Sequence, residues 1–308
     1  MNSFLVKYFV KALAVFVAVT GVMMPHHVSA GEGLIKVADN VYARADVKKA
    51  SPSNSFGANA GVIIGRDGIV VVDTLVSAKE AARFIKDIRA VSDKPIKYVI
   101  NTHSHLDHTF GNGEFAKLGA VIVSHVNGKK NMQAAGDEAL KKATAYGLTA
   151  EELEGTRITY PSITFSEKMQ IDLGDQVVEL IHAGPSHTDD SIMVYLPDSK
   201  IIFSGDILFT NYHPNIADGD LQGWIRTLDL ISSMDVAAII PGHGPVSGKK
   251  DVADMKNYII VFDRKARELA ASSDDVQHIT AEVKKALPAR EELEFLVPMN
   301  IQKRYLKK

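Results

Sequence analysis

A six-residue segment of the chain contains four side chains that can bind a divalent metal ion. The segment reads His-Ser-His-Leu-Asp-His, and its candidates are His103, His105, Asp107 and His108. Because side chains two residues apart in an extended loop point the same way, His103 and His105 can hold one ion. A turn after them would direct Asp107 and His108 toward a second ion. Imidazole and carboxylate groups together favour a divalent cation, with zinc the leading choice for an imidazole-rich site.

Three later segments supply further candidate ligands, each beside glycine or proline near the end of a predicted strand. They are His187 in Gly-Pro-Ser-His, Asp206 in Ser-Gly-Asp and His243 in Pro-Gly-His-Gly. The seven candidates are more than one tetrahedral ion can use, so the sequence predicts two metal ions. Two ions about 3.5–4 Å apart can share a water molecule, lower its pKa and polarise a carbonyl group, which is hydrolase chemistry. We expect Asp206 to bridge the ions and Asp107 to orient the attacking water as well as bind metal.

Four other histidines have different expected roles. His125 and His182 lie in apolar, strand-like surroundings and are predicted to be packed side chains. His213 follows Asp206 closely enough to line the same pocket. His278 is the one candidate ligand in the C-terminal part of the sequence.

The composition is that of an ordinary globular protein. The chain has 308 residues, of which 46% are hydrophobic and 23% charged, with a formal net charge of −2 and no cysteine. This charge gives no basis for binding nucleic acid or an acidic membrane surface. Without cysteine there are no disulfides and no thiolate ligands, so a hydrophobic core has to hold the fold. The expected partner is a small-molecule substrate, and the oligomeric state is left open.

The first thirty residues have the pattern of a secretory signal peptide. Two lysines are their only charged side chains, an apolar run follows, and Val28-Ser29-Ala30 provides the small residues of a cleavage site. The apolar run, residues 12–24, is shorter than the roughly 20 residues of a membrane-spanning helix, so stable anchoring is not expected. We predict cleavage after Ala30 and a periplasmic or secreted protein.

Strands alternate with helices in the first half of the remaining chain. Residues 32–46 read as an edge hairpin, and two short apolar runs at 61–65 and 68–73 read as a strand, a turn and a strand. Ser77 and Glu80 form a capping-box pattern at the start of a predicted helix, residues 78–91. The buried strand predicted at 96–100 leads directly into the histidine motif.

The second half repeats this alternation. Strands are predicted at 163–173, 177–183, 191–196, 201–204 and 237–240, with a helix from Gly219 to Met234. Two halves of this kind predict two β-sheets packed face to face with helices outside. A polar insertion, residues 127–159, and the tail from Lys249 are predicted to be helical. The predicted units are therefore a signal peptide at 1–30, a catalytic domain at 31–248 and a helical C-terminal extension at 249–308.

The histidine motif and its three supporting segments resemble those of the metallo-β-lactamase superfamily, over about Ile35 to Gly248. The resemblance implies an α/β (α+β) fold, a four-layer αβ/βα sandwich with two sheets inside and helices outside. By similarity, the ligands of a first zinc would be His103, His105 and His187. Those of a second zinc would be Asp107, His108 and His243, with Asp206 bridging the two.

Two segments, residues 186–197 and 241–246, resemble the true β-lactamases that use cysteine as a zinc ligand. At the position of that cysteine this chain has Asp206, and at the position of their usual arginine it has His108. Phe209 stands where those enzymes often carry a lysine that binds the substrate carboxylate. Gly205-Asp206-Ile207-Leu208-Phe209 is more similar to glyoxalase II and its hydrolytic relatives. These departures imply weak or absent β-lactam turnover.

The expected function is that of a periplasmic dinuclear zinc hydrolase, in which metal-bound hydroxide attacks a carbonyl substrate. A β-lactam, a lactone, an ester or a thioester would fit this chemistry. One alternative is a mononuclear iron persulfide dioxygenase, which uses a similar motif. Another is a non-enzymatic periplasmic protein that handles a metal or cofactor. The loops at 47–60 and 211–219 are expected to determine the substrate, with Lys48 or Lys49 able to present a positive charge.

Overall fold

A computed structural model describes residues 33–306 of the chain. The predicted signal peptide, residues 1–30, lies outside the described residues, as do residues 31–32 and 307–308. Within residues 33–306, no helix combines the length and the apolar character that crossing a membrane requires.

Two β-sheets form the centre of the structure. The first has seven strands in chain order: β1 (Ile35–Ala38), β2 (Val41–Arg44), β3 (Ala60–Gly65), β4 (Gly68–Val72), β5 (Ile96–Ile100), β6 (Val121–His125) and β7 (Ile163–Phe165). The second has the order β12-β11-β10-β9-β8, with β8 (Lys168–Asp172), β9 (Val177–Ile181), β10 (Met193–Leu196), β11 (Ile201–Phe209) and β12 (Ala238–His243). Strands β4 to β7 are parallel to one another, as are β11 and β12.

Helices connect the strands and follow them. The first half contains α1 (Ala78–Val91), α2 (Leu106–Thr109), α3 (Asn112–Lys117), α4 (Val126–Ala135) and α5 (Glu138–Ala143). The second half contains α6 (Leu221–Ser233), and the C-terminal extension contains α7 (Lys249–Ala270), α8 (Val276–Ala286) and α9 (Leu296–Arg304). The insertion predicted to be helical is only partly so, because residues 147–162 contain no regular helix.

The alternation of side chains along each strand builds a three-layered core. Ile63 and Val70 pair across β3 and β4 and face the second sheet, where they join a cluster that includes Phe203. Their neighbours Val62 and Val71 face the opposite way and pack with α1 and α3. A third cluster joins β11 to α6, α7 and the last two helices. This arrangement confirms the predicted sandwich of two sheets with helices outside.

The capping of α1 agrees with the predicted pattern in one of its two hydrogen bonds. The Ser77 hydroxyl accepts a hydrogen bond from the Glu80 backbone N–H at 3.2 Å. The Glu80 carboxylate does not return to the cap but lies between Arg44, at 3.0 Å, and Arg83, at 2.6 Å. The pair with Arg44 ties α1 to the end of β2.

The strand predicted at 201–204 is longer than expected. It continues to Phe209, and β12 likewise continues to His243, so Asp206 and His243 lie within strands and not beyond their ends. Irregular pairing between β11 and β12, at residues 203–209, accommodates this extension. Because the two strands are parallel, they carry Asp206 and His243 to the same edge of the sheet.

Candidate metal centre

The seven predicted ligands converge at one edge of the sandwich, between the two sheets. His103 and His105 lie in the loop after β5, and α2 carries Asp107 and His108. His187 lies in the loop between β9 and β10, Asp206 in β11 and His243 in β12. Five of the seven side chains are buried, whereas His105 and Asp107 are partly exposed. The structure therefore brings together all seven candidate ligands.

The first group contains His103, His105 and His187, with Asp206 beside them. Nε2 of His187 lies 3.0 Å from Nδ1 of His105. Oδ2 of Asp206 lies 3.3 Å from Nε2 of His187 and 3.6 Å from Nε2 of His103. Three nitrogens and one carboxylate oxygen thus surround a common point.

The second group contains Asp107, His108 and His243. Oδ2 of Asp107 lies 3.4 Å from Nε2 of His243 and 3.7 Å from Nε2 of His108. Oδ1 of Asp206 lies 3.1 Å from Nε2 of His108 and 3.5 Å from Nε2 of His243. Asp206 therefore directs one carboxylate oxygen to each group.

These separations fit a divalent metal with nitrogen and oxygen ligands. Zinc lies about 2.0–2.2 Å from such ligands, so two ligand atoms of a tetrahedral ion are about 3.3–3.6 Å apart. The distances given above between pairs of ligand atoms, from 3.0 to 3.7 Å, bracket this range, and all the ligand atoms of each group lie within 4.8 Å of one another. Among the described residues, Nε2 of His103, Nε2 of His108 and Oδ1 of Asp206 are buried without a hydrogen-bond partner. Buried polar atoms are normally paired, and a cation at each group would satisfy them.

The orientation of the imidazoles is set by their second ring nitrogens. Nδ1–H of His187 donates to the Asn215 carbonyl at 3.0 Å, and Nδ1–H of His243 donates to the Phe56 carbonyl at 3.1 Å. Nδ1–H of His108 donates to Oδ2 of Asp73 at 2.8 Å. When the imidazole is neutral, each of these bonds leaves Nε2 as the nitrogen with the free lone pair, directed into the site.

Burial keeps two of these imidazoles neutral. It lowers the pKa of His187 to about 3, and it lowers the pKa of His103 well below its ordinary value. A neutral imidazole is the form that can bind a metal. Both side chains are therefore ready to act as ligands at neutral pH.

The second group carries the negative charge of the site. Burial lowers the pKa of His108, but Asp206, Asp107 and Asp73 raise it by more, so that the pKa lies well above its ordinary value. Burial raises the pKa of Asp206, and the imidazoles of His108 and His243 lower it by more. The Asp206 carboxylate therefore stays ionised, and its buried charge requires compensating positive charge, which bound cations would supply.

Asp73 contacts the candidate ligand His108, and the sequence analysis did not identify it. It follows β4 with a positive φ of 60°, and its Oδ1 accepts from the Thr102 backbone N–H at 2.8 Å. Its Oδ2 accepts from the Thr102 hydroxyl at 2.7 Å and from His108. Asp73 thus joins the loop after β5 to a ligand on α2. One feature of the sequence could have indicated Asp73. It is an acidic residue directly after the apolar strand β4, which is parallel to β5 and ends at the same edge of the sheet.

Glycines allow the Asp206 carboxylate to occupy its place. A Cβ at Gly242 would lie 2.0 Å from Oδ1 of Asp206. Gly205 has a φ of +49°, and a Cβ there would lie 2.5 Å from the Thr102 hydroxyl. Gly205 and Gly242 therefore have to be glycines, because neighbouring atoms come too close to their backbone to leave room for a side chain.

A cleft that is open to solvent lies above the ligands, and its empty space, including the open space at its mouth, is about 590 Å³. Beyond the ligands its lining is mainly apolar: Phe56, Leu106, Tyr146, Phe209, Asn215, Leu293, Phe295, Leu296 and Met299. None of these described lining residues is lysine or arginine. The Phe209 ring stacks on His243 with centroids 4.9 Å apart, so the position that Phe209 holds presents an aromatic ring to the site.

The structure corrects two expectations about the cleft. His213 does not line it, because its side chain is buried and its Nδ1 pairs with the Tyr258 hydroxyl at 2.8 Å. Lys48 and Lys49 do not line it either, and the Lys48 ammonium pairs with Asp46 at 2.6 Å. The loops expected to shape the cleft contribute Phe56 and Asn215, while much of the lining comes from the C-terminal extension.

The other histidines stand apart from the ligand groups. His125 and His182 stack on each other with ring centroids 3.9 Å apart, which agrees with packed side chains. His278 is exposed on α8 and belongs to neither ligand group.

The sequence of the chain is similar to that of a known protein family and to several known proteins. Residues 54–243 match the sequence model of the metallo-β-lactamase superfamily. A linear primary-alkylsulfatase from a Pseudomonas species is 28% identical over 225 residues, which cover 61% of this chain and 42% of the sulfatase. The chain thus spans less than half the length of that relative. A type 2 metallo-β-lactamase from Bacteroides fragilis is 22% identical and covers 73% of this chain and 84% of the lactamase.

A solved structure shows the same fold. The metallo-β-lactamase from Pontibacter korlensis superposes with a TM-score of 0.56 at 19% identity, covering 74% of this chain and 98% of that structure. At this identity the likeness concerns the fold.

Asp73→Asn should weaken metal binding without unfolding the protein. Asparagine tolerates the left-handed backbone, but its amide replaces one of the two oxygens that accept from Thr102 and His108. We expect metal affinity to fall about 10–100-fold, measured by competition with a chromophoric chelator. Asp39→Asn, at an exposed position, is the matched control. Equal affinity in the two variants would show that Asp73 does not orient His108.

Proposed function

Because the chain belongs to the metallo-β-lactamase superfamily, we propose that it is an exported dinuclear zinc hydrolase that cleaves a carbonyl substrate. Its relatives include hydrolases and support a metal-dependent hydrolase as the general activity. The observation that most favours two ions is the position of Asp206, whose Oδ2 faces the first ligand group and whose Oδ1 faces the second. A single carboxylate between two ligand groups is the arrangement that a dinuclear centre needs.

The donor set favours zinc over the alternatives. Five of the seven ligands are imidazoles and two are carboxylates, a combination typical of zinc. A mononuclear iron centre would use the first group and leave the three side chains of the second group without a role. A purely metal-handling protein would not require the apolar cleft above the ligands.

Two zinc ions held in these groups would lower the pKa of a water between them and polarise the carbonyl of a substrate. The chain's own residues then position the reacting groups. Burial raises the pKa of Asp107, but the imidazoles of His108 and His243 lower it by more, so its carboxylate is ionised at neutral pH. Since Asp107 lies in the cleft wall, it can accept a hydrogen bond from the attacking water and hold it in line.

Asp206→Ala should reduce the metal content of the protein. The wild-type protein is expected to hold two zinc equivalents per chain, and the variant one or fewer, because the carboxylate between the groups is lost. Elemental analysis after dialysis against zinc measures both. A wild-type protein that reproducibly holds one iron and no zinc would contradict the dinuclear zinc centre.

His103→Ala should abolish hydrolysis while preserving the fold. His103 supplies a nitrogen to the first group at the rim of the sheets, whereas the core that holds the sheets together lies elsewhere. On the best substrate of a panel of nitrocefin, a lactone, an ester and a thioester, kcat/KM should fall at least roughly a hundredfold. Circular dichroism should be unchanged, and the exposed His278→Ala is the control. Full activity in His103→Ala would show that the first ligand group is not needed for hydrolysis.

Export is proposed from the sequence of residues 1–30. Expression in a Gram-negative host followed by N-terminal sequencing of the periplasmic fraction should give a mature chain that begins at Gly31. Recovery of the intact chain in the cytoplasmic fraction would contradict export.

A further inference from the structure

The outer wall of the cleft comes from the C-terminal extension, which the ligand motifs do not include. Leu293, Phe295, Leu296 and Met299 line the cleft together with Phe56 and Phe209. Leu293 and Leu296 are buried, whereas the Phe295 side chain is 50% exposed at the mouth of the cleft. An apolar ring half-exposed beside a catalytic cleft is available to contact a substrate.

This wall is held firmly on its N-terminal side. The Arg290 guanidinium donates to the Phe209 carbonyl at 2.8 Å and to the Tyr212 carbonyl at 2.6 Å. It also lies 4.5 Å from the centre of the Tyr258 ring. The Glu292 carboxylate accepts from two backbone N–H groups of the 47–60 loop, those of residues 49 and 50, each at 2.9 Å. The segment before Leu293 is thus attached to both loops beside the ligands.

The C-terminal side of the wall is attached to the same region. Asn300 donates from Nδ2 to the Pro214 carbonyl at 2.8 Å, and its Oδ1 accepts from the Ile216 N–H at 2.9 Å. Arg304 donates to the Gly219 carbonyl at 2.8 Å. Because both ends are fixed to the loop that follows β11, residues 293–299 form a preorganised surface.

Away from the metal ligands, the cleft offers no charged partner to an acidic substituent. Apart from the metal ligands, the described residues that line the cleft include no lysine, arginine, aspartate or glutamate. The nearby Arg290 is partly buried and already donates to two carbonyls, while Lys48 pairs with Asp46 and Lys284 pairs with Glu294. A substrate carboxylate beyond the metal ligands would therefore lose its hydration without gaining a charged partner.

We propose that residues 293–299 bind the apolar acyl group of an uncharged ester, and that Phe295 and Met299 determine acyl-chain preference. This inference rests on the proposed hydrolase activity and specifies its substrate class. In the reaction the ester C–O bond breaks, water provides the hydroxyl that joins the acyl carbon, and a proton goes to the leaving oxygen. The acyl chain lies along the wall while the carbonyl lies at the ligands.

The test is a series of p-nitrophenyl esters, from acetate through butyrate and hexanoate to octanoate, with the zinc-loaded full chain. Each buried methylene should raise kcat/KM roughly threefold to fourfold until the wall is covered. Phe295→Ala and Met299→Ala should each lower the ratio of kcat/KM for octanoate to that for acetate by at least about fivefold. Ile260→Ala, at a 42% exposed position on α7 that does not line the cleft, is the matched control and should leave this ratio unchanged.

The outcomes separate this inference from the activity on which it rests. Hydrolysis of all esters with equal kcat/KM, or an unchanged ratio in both wall variants, would overturn the acyl-binding wall and leave the hydrolase standing. Preference for a p-nitrophenyl hemisuccinate over the butyrate would overturn the exclusion of acidic groups. No turnover of any ester by protein that holds two zinc equivalents would overturn the ester specificity. Hydrolysis of nitrocefin, a lactone or a thioester by the same protein would leave the proposed reaction standing, and no turnover of these substrates either would overturn that reaction as well.

Discussion

The Asp206 carboxylate is buried between two sets of imidazoles, and its two oxygens face opposite ways. An ionised group in such surroundings is costly unless cations or hydrogen-bond donors compensate it. The surrounding structure meets this requirement in several ways. The imidazoles approach on both sides, and Gly242 leaves the space that the carboxylate occupies. Strand β11 continues to Phe209 and pairs irregularly with β12. This course of the strand brings Asp206 to its place between the imidazoles.

The sandwich fold provides the ligands from separate elements that meet at one edge. Parallel strands end at a common edge, so β4 and β5 bring Asp73 and the histidine motif together, while β11 and β12 bring Asp206 and His243. The C-terminal extension then closes the space above the ligands. The rigid sheets set the positions of the ligands, and the loops and the extension shape the cleft.

The convergence of the seven candidate ligands could be predicted from the sequence because each lies in a short segment with its own signal. Histidine and aspartate spacing indicated the motif after β5, and neighbouring glycine or proline marked His187, Asp206 and His243. Apolar alternation likewise predicted the two sheets. Asp73 was missed because its role depends on a contact with His108 across two strands, which no local pattern reveals. His213 was misjudged because closeness to Asp206 in sequence does not determine the direction of a side chain.

That residues 293–299 line the cleft could not be predicted from the sequence, for a related reason. An amphipathic helix shows which of its faces is apolar, but not what that face will cover. Here Arg290 and Asn300 recognise backbone carbonyls about eighty residues earlier in the chain, and these contacts place the wall. Strand β11 was predicted too short because Gly205 and Asp206 interrupt its apolar run and resemble a strand end.

The position of the two ions is the central claim, and anomalous X-ray diffraction from crystals of the zinc-loaded protein tests it most directly. Data collected on both sides of the zinc absorption edge should give two peaks, one on each side of the Asp206 carboxylate. The first should lie among His103, His105 and His187, and the second among Asp107, His108 and His243. A single peak confined to the first group, with the second group empty at saturating zinc, would contradict the account.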